Sequence, residues 1–242
     1  MVRTCKDKYE NEEFDVHFEK FPFSLSDFQK YAIEAIVSKN DILITAHTGS
    51  GKTLPAEFAI EHLVGLGKKV IYTSPIKALS NQKFYEMSKK FPHISFGILT
   101  GDIKFNPEAD VLIMTTEILR NTLLFKTTPE DSPAISSLLQ FDMDIENDLG
   151  AVVFDEVHYI NDPSRGKVWE ETIMLLPPHI QLVMLSATID NPERFAAWVE
   201  NKAGNTKTMY LAPTNHRVVP LVHYAYTCIS DGIEKLMQDK HK

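Results

Sequence analysis

Apolar residues fall along this chain in two rhythms. Short apolar runs at Asp41 to Thr45, Lys69 to Pro75, Ile94 to Leu99, Val111 to Thr115, Ala151 to Asp155, Gln181 to Ser186 and Thr208 to Leu211 predict strands. Between most of them the apolar positions recur at helical spacing. Ala32, Ile33 and Ile36 mark one helix, Leu54 to Leu66 and Ile76 to Lys90 mark two more, and another runs toward Trp198. Strands alternating with helices predict an α/β fold, a mostly parallel sheet with helices on both faces. Ligands of such sheets sit off the carboxyl ends of the strands, so the residues following each strand carry the functional signal. Two stretches break the pattern. Met1 to Lys20 is polar and mixed in charge and reads as a loose lead-in. Residues 125–150 are rich in Pro, Ser and acid, with a short apolar turn at Ile135 to Leu139, and read as an excursion from the sheet.

The first strand runs into Ala46-His47-Thr48-Gly49-Ser50-Gly51-Lys52-Thr53, followed by a helix. This is the context of a phosphate-binding loop. Gly49 and Gly51, lacking Cβ, let the backbone turn tightly and aim consecutive N–H groups inward, and the helix N-terminus adds its dipole. Lys52 can reach the β- and γ-phosphates, and the Thr53 hydroxyl can ligate Mg²⁺. The general pattern opens with Gly where this chain has Ala46.

Composition narrows the setting. The chain has 242 residues, 43% of them hydrophobic, enough for one or two domains with a real core. A net charge of −8 argues against binding polyanions by bulk charge but leaves room for a local basic groove. Two cysteines, Cys5 and Cys228, supply no disulfide framework and suggest a reducing, intracellular setting. No apolar run approaches the ~20 residues of a bilayer span, so a soluble protein is expected, with no membrane partner.

The other strand ends add chemistry. Asp155-Glu156 closes an apolar strand, where a phosphate-loop enzyme needs one carboxylate for Mg²⁺ and another to orient and deprotonate water. His158 follows, as a functional group or a plain polar residue. Ser186 and Thr188 end the next strand and either reach that carboxylate pair or serve helix entry. Gln29 is similarly open. With Ser26 it fits a capping box, and its amide also suits the donor and acceptor edge of adenine.

The ordered set Phe23 with Gln29, Ala46 to Thr53, Ser74-Pro75-Ile76-Lys77-Ala78-Leu79, Thr100-Gly101-Asp102, Thr115-Thr116-Glu117, Asp155-Glu156-Val157-His158 and Ser186-Ala187-Thr188 resembles the first RecA-like domain of a superfamily-2 DExH-box helicase. Thr73 to Lys83, Asp155 to Asp162, Arg165-Gly166 and Trp169-Glu170-Glu171 resemble most closely the superkiller and exosome-associated RNA helicases. The resemblance covers roughly Phe21 to Tyr224 and implies a P-loop ATPase that couples Mg²⁺-ATP hydrolysis to 3′-to-5′ movement along single-stranded RNA. It places Phe23, Gln29 and residues 46–53 on the nucleotide, Thr53 and Asp155 on Mg²⁺, and Lys52, Asp155 and Glu156 in catalysis. Pro75, Lys77, Gly101, Thr115, Thr116 and Glu117 would line the groove for the strand, largely through backbone N–H groups and hydroxyls on phosphates. His158, Ser186 and Thr188 would couple the two sites.

Departures from that pattern shape further expectations. Gly49-Ser50 stands where close members carry Ser-Ala, and the segment from Arg120 to Ala151 is long, a candidate site for a protein partner. Residues 21–215 read as the ATP-binding domain and 216–242 as the start of a connection to a second RecA-like domain. No later stretch carries an arginine finger, worth about 10³–10⁵ in turnover, so a piece of a longer helicase that hydrolyses ATP weakly by itself is expected. The alternatives are a DNA helicase of the same superfamily, a non-catalytic ATP-gated RNA clamp, and a small phosphate-loop kinase.

Overall fold

The computed structural model describes residues 1–127, 143–187, 189–214, 222 and 224. In chain order its first half contains β1 (Arg3–Thr4), α1 (Asp15–Phe18), α2 (Asp27–Val37), β2 (Asp41–Ala46), α3 (Leu54–Gly65), β3 (Lys69–Ser74), α4 (Lys77–Lys90) and β4 (Phe96–Leu99). There follow β5 (Lys104–Phe105), β6 (Val111–Thr115), α5 (Thr116–Thr127), β7 (Leu149–Phe154), α6 (Gly166–Leu175), β8 (Gln181–Ser186), α7 (Pro192–Glu200) and β9 (Met209–Thr214). The apolar turn at 135–139, the body of the 125–150 excursion, Thr188 and the connection at 216–242 lie outside the described residues, apart from Val222 and Tyr224.

Sheet order is β1-β9-β2-β8-β7-β3-β6-β4-β5, parallel throughout except for the β4–β5 pair. Successive side chains of a strand point to opposite faces, so a strand buried on both sides is apolar at nearly every position. Ile42, Ile44, Val70, Tyr72, Val111, Ile113, Val153 and Val183 meet α2 and α3 on one face, with Ile33, Ile36, Phe58 and Ile60. Leu43, Ile71, Leu112, Met114, Val152, Phe154, Leu182 and Met184 meet α5, α6 and α7 on the other, with Leu119, Trp169, Ile173 and Val199. One sheet with two covered faces is the architecture the alternation predicts.

The lead-in differs from expectation. Rather than lying loose, β1 adds a parallel strand beside β9, with Arg3 opposite Tyr210 and Thr4 opposite Leu211. Arg3 Nη1 donates to Glu34 Oε1 at 2.6 Å and to the Tyr210 hydroxyl at 2.7 Å. Tyr9 and Phe18 are buried, and the Tyr9 ring meets Tyr31 edge-on at 4.9 Å. A few widely spaced aromatics hold the segment while its charges face solvent, a pattern that periodicity does not register.

Strand order sets out the functional surface. β8 lies between β2 and β7, so Ser186 is the register partner of Thr45 and sits between the phosphate loop and the Asp155-Glu156 pair. On the other side of β7 come β3 and β6, whose ends Ser74 and Thr115 are also register partners. The sheet thus presents two neighbouring clusters along one edge.

Candidate nucleotide site and strand groove

The first cluster is built on unusual backbone. Gly49 and Gly51 take φ of 84° and 85°, and Glu156, two residues past the end of β7, takes φ 50°. A left-handed conformation costs a non-glycine residue about 1 kcal/mol or more, and persists where the surroundings over-determine it. The surroundings here are short contacts. Asp155 N donates to Thr73 O at 2.9 Å, Glu156 N donates to Asp155 Oδ1 at 3.0 Å, and both Glu156 carboxylate oxygens accept from Lys52 Nζ, at 2.9 and 3.0 Å. The Lys52–Glu156 pair therefore joins the phosphate loop to the tip of β7. With Lys52 only 8% exposed, this pair is far less screened than a surface one.

Asp155, 5% exposed, accepts a 2.6 Å hydrogen bond from Tyr72 Oη through its other oxygen. No described cation lies within ion-pair distance of it. Burial and the neighbouring Glu156 charge raise its pKa, against the Tyr72 hydrogen bond, which lowers it. Tyr72 is itself pushed well above the usual tyrosine range by burial and by the Asp155 charge, so it stays a donor. A buried carboxylate without an ion-pair partner among the described residues, on the same sheet edge as the phosphate-loop Thr53, offers with that hydroxyl a set of hard oxygen ligands. It fits a Mg²⁺ held by Thr53 and Asp155.

Gln29 does two things at once. Its Oε1 accepts from Ser26 N at 3.0 Å, completing the cap of α2, and its Nε2 donates to Gly51 O at 3.1 Å. A Cβ on Gly51 would lie 2.7 Å from that nitrogen, so glycine is needed there for closeness as well as for φ. Phe23 is 55% exposed, its ring 5.9 Å from that of Phe21. Ser50 Oγ donates to His47 O at 2.7 Å, closing the loop, and Ala46 is a buried end of β2. His47 also borders a cavity of about 610 Å³ at the ends of β2, β8 and β9, with Lys6, Ala187, Glu193 and Thr214.

The second cluster is a groove of about 460 Å³ lined by Pro75, Ile76, Lys77, Gly101, Thr115, Glu117, Ile118 and Arg165. The structure thus gathers Pro75, Lys77, Gly101, Thr115 and Glu117 around one opening. Thr116 does not line it: the residue is fully buried at the start of α5, its hydroxyl without a described hydrogen-bond partner. Ser186 is likewise buried with an unpartnered hydroxyl. Lys77 Nζ pairs with Asp102 Oδ2 at 2.5 Å on the exposed rim. His158 Nδ1 lies 3.4 Å from Glu156 Oε2, beside the nucleotide cluster. Thr188 lies outside the described residues.

The motifs assign no role to two participants. Tyr72 fills an inward position of β3 beside Val153, and its signal was available: a tyrosine hydroxyl in a buried strand needs a partner, and the adjoining strand ends in carboxylates. Arg165 is the other.

The chain matches the DEAD/DEAH box helicase family over residues 26–196. It belongs to that family. As a DEAD/DEAH box helicase domain it is 44% identical over 203 residues to the antiviral helicase SKI2 of Saccharomyces cerevisiae, covering 83% of this chain and 14% of that one. It is 40% identical over 220 residues to the exosome RNA helicase MTR4 of Homo sapiens, covering 91% of this chain and 19% of MTR4. These relatives agree with the superkiller and exosome resemblance, and the chain spans at most about a fifth of their length. Among solved structures, the DUF1998 helicase MrfA bound to DNA has a TM-score of 0.62 at 20% identity, covering 88% of this chain and 31% of that one. A hypothetical ATP-dependent RNA helicase from Sulfolobus tokodaii has a TM-score of 0.57 at 17% identity, over 84% of this chain and 57% of that one. At such identities the likeness concerns the RecA-like fold. No helix of the described residues is long and apolar enough to cross a membrane.

Proposed function

We propose that this chain is the ATP-binding motor domain of an ATP-dependent RNA helicase, coupling Mg²⁺-ATP hydrolysis to movement along single-stranded RNA. The Lys52–Glu156 pair carries the reading, because it joins the phosphate loop to the water-activating position without a ligand between them. Polyphosphate draws Lys52 away from Glu156 by offering the ammonium a stronger anion. The freed Glu156 carboxylate then accepts a proton from the attacking water. Thr53 and Asp155 hold Mg²⁺, which supplies charge neutralisation on the phosphate oxygens. Gln29, kept in place by its cap, offers its remaining N–H and lone pair to adenine, beside the exposed Phe23 ring. Residues 46–51 direct backbone N–H groups at the phosphates.

RNA is favoured over DNA by the exosome RNA helicase MTR4, 40% identical over 91% of this chain. Pro75, Lys77, Gly101, Thr115 and Glu117 take the RNA backbone, with the buried Thr116 kept from it, and His158, Ser186 and Thr188 couple it to the nucleotide. A second RecA-like domain supplies the arginine finger. A protein partner at residues 125–150 is a further part of the reading. The test is ATP turnover of the encoded protein with no nucleic acid, with single-stranded RNA and with single-stranded DNA. Stimulation by RNA is expected; equal rates in all three would overturn the reading, and stimulation by DNA alone would make it a DNA helicase.

A further inference from the structure

Arg165 occupies the strand groove, yet it grows from the segment that begins at the nucleotide cluster. The chain leaves Glu156, makes a 3₁₀ turn over Val157–Asn161, and is then caught by Asp162. Asp162 Oδ1 accepts from Ser164 N at 2.8 Å, Ser164 Oγ at 2.7 Å and Arg165 N at 3.0 Å, and Asp162 O accepts from Gly166 N at 2.8 Å. A Cβ on Gly166 would lie 2.1 Å from Ile160 O, so the turn folds this tightly only with glycine there. The base of the Arg165 side chain is therefore fixed.

Its far end is fixed too. Arg165 Nη2 donates to Pro75 O at 2.6 Å and forms an ion pair with Glu117 Oε1. Pro75 closes β3 and Glu117 lies in the first turn of α5, so one guanidinium joins two walls of the groove. Its plane lies over Trp169 at 5.7 Å and Tyr159 at 6.0 Å, and those two rings stack on each other at 5.8 Å. Tyr159 in turn meets His158 at 5.4 Å, and His158 stands 3.4 Å from Glu156. An unbroken series of contacts thus runs from the Glu156 carboxylate to the groove. Arginine suits the task, since its planar fork can hold a carbonyl and a carboxylate while stacking on aromatic faces, and lysine's point charge cannot.

We propose that Arg165 is a positioning residue that ties the turn following Asp155-Glu156 to both walls of the strand groove, so that grip on the nucleic-acid backbone and the state of the nucleotide site change together. This rests on the assignment of the groove to the strand given above. Coupling of this kind is reciprocal: whatever the nucleotide does to the affinity for the strand, the strand does to the affinity for the nucleotide.

The experiment is ATP turnover of the encoded protein against rising oligouridylate and, separately, oligodeoxythymidylate. For Arg165→Gln the half-stimulating RNA concentration rises about tenfold, within the usual range of coupling between sites, while kcat at saturating RNA falls by no more than half. Arg165→Lys recovers less than half of that loss. An unchanged half-stimulating concentration overturns the proposal. So does a fall in kcat and melting temperature with that concentration unaltered, which marks a purely structural residue. If wild-type protein responds to the DNA oligomer alone, the RNA assignment fails and the same variants, read with DNA, still decide the role of Arg165. If neither oligomer stimulates, both readings fall.

Discussion

The two clusters at the sheet edge are neighbours built on opposite principles. The nucleotide cluster draws on two contiguous strings, residues 46–53 and 155–158, and its backbone is forced to positive φ at Gly49, Gly51 and Glu156. The groove uses the short strings 75–77 and 115–118 as well, but adds the isolated Gly101 and Arg165, and it is Arg165 that ties its walls together, reaching Glu117 48 positions away and Pro75 90 positions away. Consecutive N–H groups can surround a phosphate only if consecutive residues supply them, so a phosphate site writes itself into the sequence as a motif. A groove that must yield and re-form needs only side chains that happen to converge.

If this contrast is right, damage should differ in kind at the two places. The largest effect is expected from Glu156→Gln, which keeps shape and removes the base: turnover falls about 10³-fold while ATP binding survives, as steady-state kinetics and a fluorescent nucleotide titration would report. Retained turnover would take Glu156 out of that role. Next, Gly166→Ala puts a methyl 2.1 Å from Ile160 O and should destabilise the fold by about 3 kcal/mol in urea unfolding. It should also cost nucleic-acid stimulation more than nucleotide affinity, and equal losses would erase the distinction between the clusters. Tyr72→Phe removes the hydroxyl that donates to the buried Asp155, for an expected loss of about 1–2 kcal/mol and a higher Mg²⁺ requirement.

The smallest effect lies away from both clusters and serves as a baseline. Lys202 Nζ donates to Ile173 O at 2.8 Å and to Leu176 O near the end of α6, and burial lowers its pKa to about 8. Burial lowers that of Lys207 as well, against the pull of Asp41. The unfolded chain then binds more protons than the folded one between about 8 and the ordinary lysine value of 10.5, so this group makes stability rise with pH through that window. Lys202→Met should flatten the rise, measured as unfolding midpoints at pH 8 and pH 10. An unaltered slope would show that Lys202 keeps its proton throughout.

The fold and the two clusters were not equally legible. Ile42-Leu43-Ile44 and Val152-Val153-Phe154 announce strands buried on both faces, since nothing polar is tolerated on either side. The expected parallel α/β sheet follows, as do the positions of Lys52, Asp155 and Glu156 beyond its strands. β1 and β5 were invisible because two residues carry no period. The packed lead-in was hidden for a related reason: Tyr9, Phe14 and Phe18 are sparse among charges, and their partners Tyr31 and Phe58 lie far along the chain. Arg165 offered only its place in a family resemblance. Its role depends on Pro75 and Glu117 arriving from β3 and α5, which no local pattern encodes.

The two overlooked strands have a practical meaning. A sheet presents unpaired backbone groups at each end, where copies of a chain can zip together. Here β1 and β5, each two residues long, occupy those ends, and β5 runs against the direction of its neighbour. Margins this short give a second molecule little to extend. Trimming the first eight residues would instead uncover the six-residue β9, with Tyr210 and Leu211 at the margin. A shortened protein should then betray itself as turbidity at high concentration before any loss of ATP binding is noticed.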